Sequence, residues 1–132
     1  GLSAVGGLHP GGASRLFSLF DSPAAGAVCY EIADGSTLAL ATAEGADWLL
    51  SIANLDPYPL QLQQQFLALA QLRAIESGRD LLSIANTGPT ALIAADGHVE
   101  RLLPPMQAGL ATVTVQLREE VGFYPWLVSI LR

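Results

Sequence analysis

Cys29, Tyr30 and Glu31 are the positions of this chain best equipped for chemistry: its only thiol, a phenol and a carboxylate stand in a row after the small apolar run Ala24 to Val28. A lone thiol cannot close an intramolecular disulfide, which leaves packing, metal binding or nucleophilic attack. Downstream, Asp34, Gly35, Ser36 and Thr37 are residue types that begin helices. The cysteine is therefore expected at a strand-to-helix junction on the carboxyl edge of a sheet, where α/β enzymes keep their sites. A nearby helix N-terminus favours thiolate over thiol. Free cysteine is also among the most buried residue types, so an inert core cysteine and a nucleophile both stay open at this point.

The next chemically informative residue is Asn54, which closes the uninterrupted apolar run Trp48 to Ala53 and opens the proline-bracketed loop Asn54 to Pro59. A second anomaly lies in the helix expected from Leu60 to Ser77. Projected at about 100° per residue, Leu62, Phe66, Leu69, Ala70 and Leu72 define a buried face, and Arg73 and Glu76 fall in the same arc. Charges on the core side of a helix are costly unless paired, and this spacing lets them meet. They read either as an ion pair bracing a site or as a direct substrate contact. His9 and His98 sit in loops, so neither Cys–His catalysis nor a zinc site has support, and no metal is expected.

The elements that must position these residues follow from periodicity. Residues 1–24 read as a loop-rich lead-in with a short apolar turn at Leu16 to Phe20. A buried strand is expected at Ala25–Tyr30, a helix at Ser36–Glu44 and a second buried strand at Trp48–Ala53, which together make a βαβ unit. The two strands would bring Cys29-Tyr30-Glu31 and Asn54 to one sheet edge. Gly78 is a plausible cap for the long helix. Leu81–Ala85, Thr90–Ala94 and Val99–Leu103 continue as a meander, and the alternation in Leu110 to Leu117 predicts a last half-exposed strand. Residues 118–132 form an apolar, aromatic tail.

With 132 residues, 51% of them hydrophobic, the chain can build one core, and its mean hydropathy of +0.40 is high for a soluble domain. A net charge of −6 and six arginines without a lysine argue against a nucleic-acid partner. No run approaches the ~18 apolar residues of a membrane span, and no signal peptide is visible near Gly1. The aromatic tail ending at Arg132 reads equally as a lead into a spanning helix and as an element docked on the core. Both ends look like cuts through a longer protein.

Taken in order, Cys29-Tyr30-Glu31, the strand ending in Asn54, Arg73-Ala74-Ile75-Glu76-Ser77-Gly78-Arg79, Ala85-Asn86-Thr87-Gly88-Pro89-Thr90-Ala91 and Asp96-Gly97 resemble the landmarks of the carbon–nitrogen hydrolase (nitrilase) superfamily. Within it they look most like its apolipoprotein N-acyltransferase branch, over roughly Gly26 to Leu117. In the common form of that branch Asn-Asp and an aromatic follow the strand at once. Here Leu55 intervenes, and Asp56-Pro57-Tyr58-Pro59 resembles a cyanobacterial variant.

The resemblance implies a partial, truncated nitrilase-like α-β-β-α sandwich, in which residues 25–117 form the sheet and helix core and residues 118–132 lead toward a membrane helix. It implies a bacterial inner-membrane enzyme with its catalytic domain on the periplasmic side. Such an enzyme takes an acyl chain from a phospholipid onto cysteine and passes it to the N-terminal amino group of a diacylglyceryl-cysteine lipoprotein, with no cofactor. On this mapping Cys29 is the nucleophile, Tyr30, Glu31 and Asn54 shape the site, and Arg73, Glu76, Arg79 and Asn86 support it. The family's triad also needs a lysine and a glutamate upstream of the cysteine, and the chain has no lysine and no glutamate before Glu31. This chain alone is therefore expected to be inactive. A fragment of a soluble amidase of the same superfamily, and a non-catalytic interaction domain of the same fold, are the competing readings.

Overall fold

The structure, a computed structural model, describes residues 15–131. Its elements are strands β1 (Leu16–Leu19) and β2 (Ser22–Val28), a 3₁₀ helix (Cys29–Ala33), helix α1 (Gly35–Ala43), strand β3 (Trp48–Ala53) and helix α2 (Leu60–Ser77). Strands β4 (Leu81–Ala85), β5 (Thr90–Ile93) and β6 (Val99–Leu103) and helix α3 (Phe123–Leu131) follow. The strands form one sheet in chain order, with β2, β3 and β4 parallel and the outer strands antiparallel. The parallel strands come from near-continuous apolar runs, as strands buried in α/β sheets do.

Register decides which residues face the helices. Ala25, Leu49, Leu81 and Ile93 lie on one transverse line and Ala27, Ser51, Ser83 and Ala91 on the next in that set. Both lines point to α1 and α2, where Ile32, Leu38, Ala41, Phe66, Leu67, Ala70 and Ala74 complete the core. The small alanines let α1, itself rich in Ala and Thr, pack close to β2. On the opposite face Val28, Ile52 and Ile84 form a row that stays exposed, at 59%, 47% and 38%.

Several expectations need correction. The stretch Leu16–Phe20 is not a turn but the first arm of a hairpin, closed at Phe20 and Asp21, whose φ values of 54° and 58° suit a two-residue loop. Residues 16–19 and 22–24 thus belong to the sheet, while 1–14, including His9, lie outside the described residues. The strand expected at Ala25–Tyr30 starts at Ser22 and stops at Val28, because Cys29 takes a left-handed φ of 51° and breaks the ladder. No strand forms at Leu110–Leu117. Its alternation has a half-buried centre, where Val113 and Val115 line a groove with Trp48 and Leu82, while Leu110 and Leu117 at its ends are exposed and the segment crosses the face of the sheet instead of pairing at an edge.

The boundaries of α2 match the expectation, and Gly78 ends it with a φ of 64°. Its buried line runs through Gln63, Phe66, Leu67, Ala70, Arg73, Ala74 and Ser77. Leu72, placed on that face from the sequence, is 45% exposed, because it sits almost opposite Ala70 around the helix. Helix α3 docks through Pro125 and Val128 toward Ser36, Thr37 and Leu40 of α1, leaving Phe123, Trp126 and Ile130 exposed. Among the described residues no helix is long and apolar enough to cross a membrane.

Candidate functional site

Cys29 is the first residue after β2 and the first of the 3₁₀ helix. A positive φ is uncommon for a residue with a side chain and persists only where its surroundings impose it. Here the Glu31 carboxylate does so. Its Oε2 accepts the Val28 N–H at 2.8 Å, and its Oε1 pairs with the Arg15 guanidinium. Arg15 is tied in turn to β2, its carbonyl accepting the Gly26 N–H at 3.2 Å. The hydrogen bond from Arg15, reinforced by that from Val28, holds the Glu31 carboxyl below the usual carboxylate range. Past the turn, Asp34 caps α1, accepting from the Ser36 hydroxyl at 2.7 Å and its N–H at 3.1 Å, and these bonds hold its carboxyl low as well.

Tyr30 turns toward the loop after β3. Its hydroxyl donates to the Tyr58 hydroxyl at 3.0 Å, and both rings meet Phe66 of α2, at centroid distances of 5.7 Å and 6.2 Å. The hydrogen bond with Tyr30 holds the Tyr58 phenol above its ordinary range.

Asn54 and Asn86 leave β3 and β4 at the same edge, and the Asn86 amide donates to Asn54 Oδ1 at 2.8 Å. Asn86 Oδ1 accepts the Leu55 N–H at 2.9 Å, and Asn54 Oδ1 also accepts the Asp56 N–H. Leu55, the residue that departs from the common form of the loop, is 3% exposed and part of the core. Gly88 lies opposite it, where an added Cβ would come within 2.7 Å of the end of the Leu55 side chain and make it shift. Sequence reasoning missed Arg15 and Gln63, and it named Leu55, Tyr58 and Gly88 within motifs without giving them a role. A hairpin register would have found Arg15, and the break in the loop pattern marked the segment holding Leu55 and Tyr58.

Arg73 and Glu76 pair at 3.0 Å as expected, against the N-terminus of α1. The pair occupies the space where a side chain on Gly35 would stand, with Arg73 Nη1 only 1.6 Å from an added Cβ. It braces the turn that follows Cys29–Ala33. Arg79 is different and its placement in the site is a correction. It precedes β4, at the amino edge of the parallel strands, and is buried with its guanidinium donating to the carbonyls of Ala46, Gly78 and Glu120. Burial pushes its pKa down. Among the described residues no group of His, Cys, Asp and Glu is arranged to hold a metal, and His98 lies in a turn, its N–H donating to Asp96.

No family model matches the chain. Across 128 residues, 97% of its length, it is 64% identical to the apolipoprotein N-acyltransferase of Parasynechococcus marenigrum, of which it spans 28%. It is 56% identical over 124 residues, 94% of the chain and 25% of the relative, to the apolipoprotein N-acyltransferase of Prochlorococcus marinus strain MIT 9313. The chain thus spans only about a quarter of the length of these curated relatives. A solved mutant of an amidase from Nesterenkonia AN1, of the nitrilase superfamily, superposes with a TM-score of 0.59 at 19% identity, covering 76% of this chain and 41% of that one. The fold is accordingly nitrilase-like.

Proposed function

The chain belongs to the apolipoprotein N-acyltransferase family, and on that premise we propose that it carries the nucleophile of a phospholipid-to-lipoprotein acyltransferase. The observation that carries this reading is the Cys29 elbow: a partly buried thiol, in a left-handed backbone conformation, at the carboxyl end of a parallel strand. Such a turn offers a side chain to a ligand above the sheet. The Cys29 thiolate attacks the ester carbonyl of a phospholipid, forming the S–C bond as the C–O bond breaks. The lysophospholipid alcohol leaves with the thiol's proton. The α-amino group of a diacylglyceryl-cysteine then attacks the thioester, so that a C–N bond replaces the C–S bond and the thiol is restored. Splitting the transfer into two thiol steps lowers each barrier.

Glu31 holds the elbow, Tyr30 forms the near wall, and Asn54 with Asn86 fixes the loop edge. Arg73 and Glu76 support the turn from behind. The general base and the oxyanion-stabilising lysine come from the remainder of the family's length, since this chain has no lysine and no glutamate before Glu31. Without them the isolated chain does not turn over. A lipid donor and a lipoprotein acceptor support an enzyme of the inner membrane, and the reading puts this domain on the periplasmic side. The exposed Phe123, Trp126 and Ile130 of α3 suit that setting.

The test is mass spectrometry of the full-length enzyme incubated with phospholipid. An acyl adduct, labile to hydroxylamine and mapped to the Cys29 peptide, is expected. An adduct elsewhere, or full activity in Cys29→Ser, refutes the assignment.

A further inference from the structure

We propose that Gln63 is a positioning residue for acylation of Cys29: it sets the loop that holds Tyr58 against Tyr30, and so fixes the wall along which the acyl donor reaches the thiol. The inference rests on the acyl-transfer reading given above.

Gln63 lies in the first turns of α2 and is 6% exposed. Its Nε2 donates to two carbonyls of the loop, Leu55 O at 3.2 Å and Tyr58 O at 3.0 Å. Two acceptors on one nitrogen fix which way the amide points. The other end, Oε1, is buried without a hydrogen-bond partner, 3.4 Å from where a Cβ on Gly88 would stand. An orphaned buried acceptor is costly, and a leucine of similar size would avoid it. What glutamine supplies in exchange is a clamp on both ends of Leu55–Tyr58. The clamp is reinforced because Asn86 takes the Leu55 N–H, the Leu55 side chain packs against Gly88, and the Tyr58 N–H bonds back to the Leu55 carbonyl at 3.0 Å.

Only one ring of this loop reaches the elbow. Tyr58 stacks on Phe66 with 27° between ring planes and accepts the Tyr30 hydroxyl bond, and Tyr30 is the residue next to Cys29. Nothing in the elbow's own support, Glu31, Val28 and Arg15, depends on Gln63. Gln63 therefore bears on the approach of a large donor, while leaving the thiol exposed to small reagents.

The experiment uses the full-length enzyme in detergent with dioleoyl phosphatidylethanolamine and dioleoyl phosphatidylglycerol as probes. It measures the rate of the hydroxylamine-labile adduct at Cys29 beside the rate of Cys29 alkylation by iodoacetamide. In Gln63→Leu, acylation is expected to slow about tenfold with alkylation unchanged, a split that general destabilisation does not give. Tyr58→Ala, at a half-exposed position, is expected to show the same split, and adding Gln63→Leu to it to cost nothing more. Should Gln63→Leu fail to fold, Tyr58→Ala carries the test. Unchanged acylation in Tyr58→Ala, parallel loss of both rates, or additive losses in the double variant overturns the inference. Cys29→Ser separates the two claims: if the hydroxylamine-labile adduct persists at a residue other than 29, the acyl-transfer reading itself fails, whatever Gln63 does.

Discussion

The Glu31 carboxylate reaches back across Cys29 to the Val28 N–H at 2.8 Å, so the residues on either side of the thiol are joined to each other. Glu31→Gln keeps an acceptor for Val28 but loses the charge that meets Arg15. Acylation of Cys29 in the full-length enzyme is expected to slow roughly tenfold, about 1.4 kcal/mol, with expression preserved. Arg15→Met is expected to act similarly, and the double variant to add little, because the two act through one link. Adduct rates for the four proteins check this.

The same link makes a pH prediction. Arg15 and Val28 lower the Glu31 pKa in the folded protein, so its contribution is complete above the unfolded value, near 4.5, and is lost as pH falls through the lower folded value. The difference in thermal midpoint between wild type and Glu31→Gln is expected to be constant near neutrality and to shrink below pH 4.5. A gap that widens on acidification contradicts the assignment.

Arg73→Ala leaves Glu76 half-buried without its partner and opens the space over Gly35. A loss of about 3 kcal/mol is expected, read from denaturant unfolding of the domain. Gly35→Ala pushes on the same guanidinium, so combining the two is expected to cost less than the sum.

Arg79 separates stability from chemistry. Its three carbonyl partners tie the β3 approach, the end of α2 and the segment before α3 together at the edge away from Cys29. Arg79→Met is expected to lower stability by about 3 kcal/mol, leaving three carbonyls short of a donor. In protein that remains folded, Cys29 alkylation is expected at the wild-type rate.

The exposed row Val28, Ile52 and Ile84, on the sheet face away from α1 and α2, predicts the behaviour of the isolated 132-residue chain. It is expected to self-associate and to bind an apolar dye. Replacing Val28 and Ile52 by threonine should weaken both, as read by light scattering and dye fluorescence. A monodisperse, dye-silent wild-type chain contradicts this.

Much of the scaffold was legible because single-pattern segments declare themselves. Trp48–Ala53 and Leu60–Ser77 end where the sequence says they end, since an apolar run and a Gly78 cap are local signals. The shared edge for Cys29 and Asn54 followed from the parallel pairing. What was not legible depended on tertiary placement. Leu110–Leu117 alternates like a strand, but alternation reports an apolar side and not a hydrogen-bonded partner. Arg79 follows the same motif as Arg73, yet after Gly78 the chain has reached the other end of the sheet. Arg15 and Gln63 are ordinary polar residues in sequence and gain their roles from contacts 16 and 8 residues away along the chain.

The in-step register of Val28, Ile52 and Ile84 has a mechanical corollary. Three loops spring from one transverse line of the sheet, so each can lengthen or change its anchoring residue without shifting the origin of the others. The loop after β3 is pegged by the buried Leu55, while the turn bearing Cys29 departs from the same rung. The turn bearing Cys29 and the loop bearing Tyr58 are thereby anchored separately, so a change of length in one leaves the origin of the other in place.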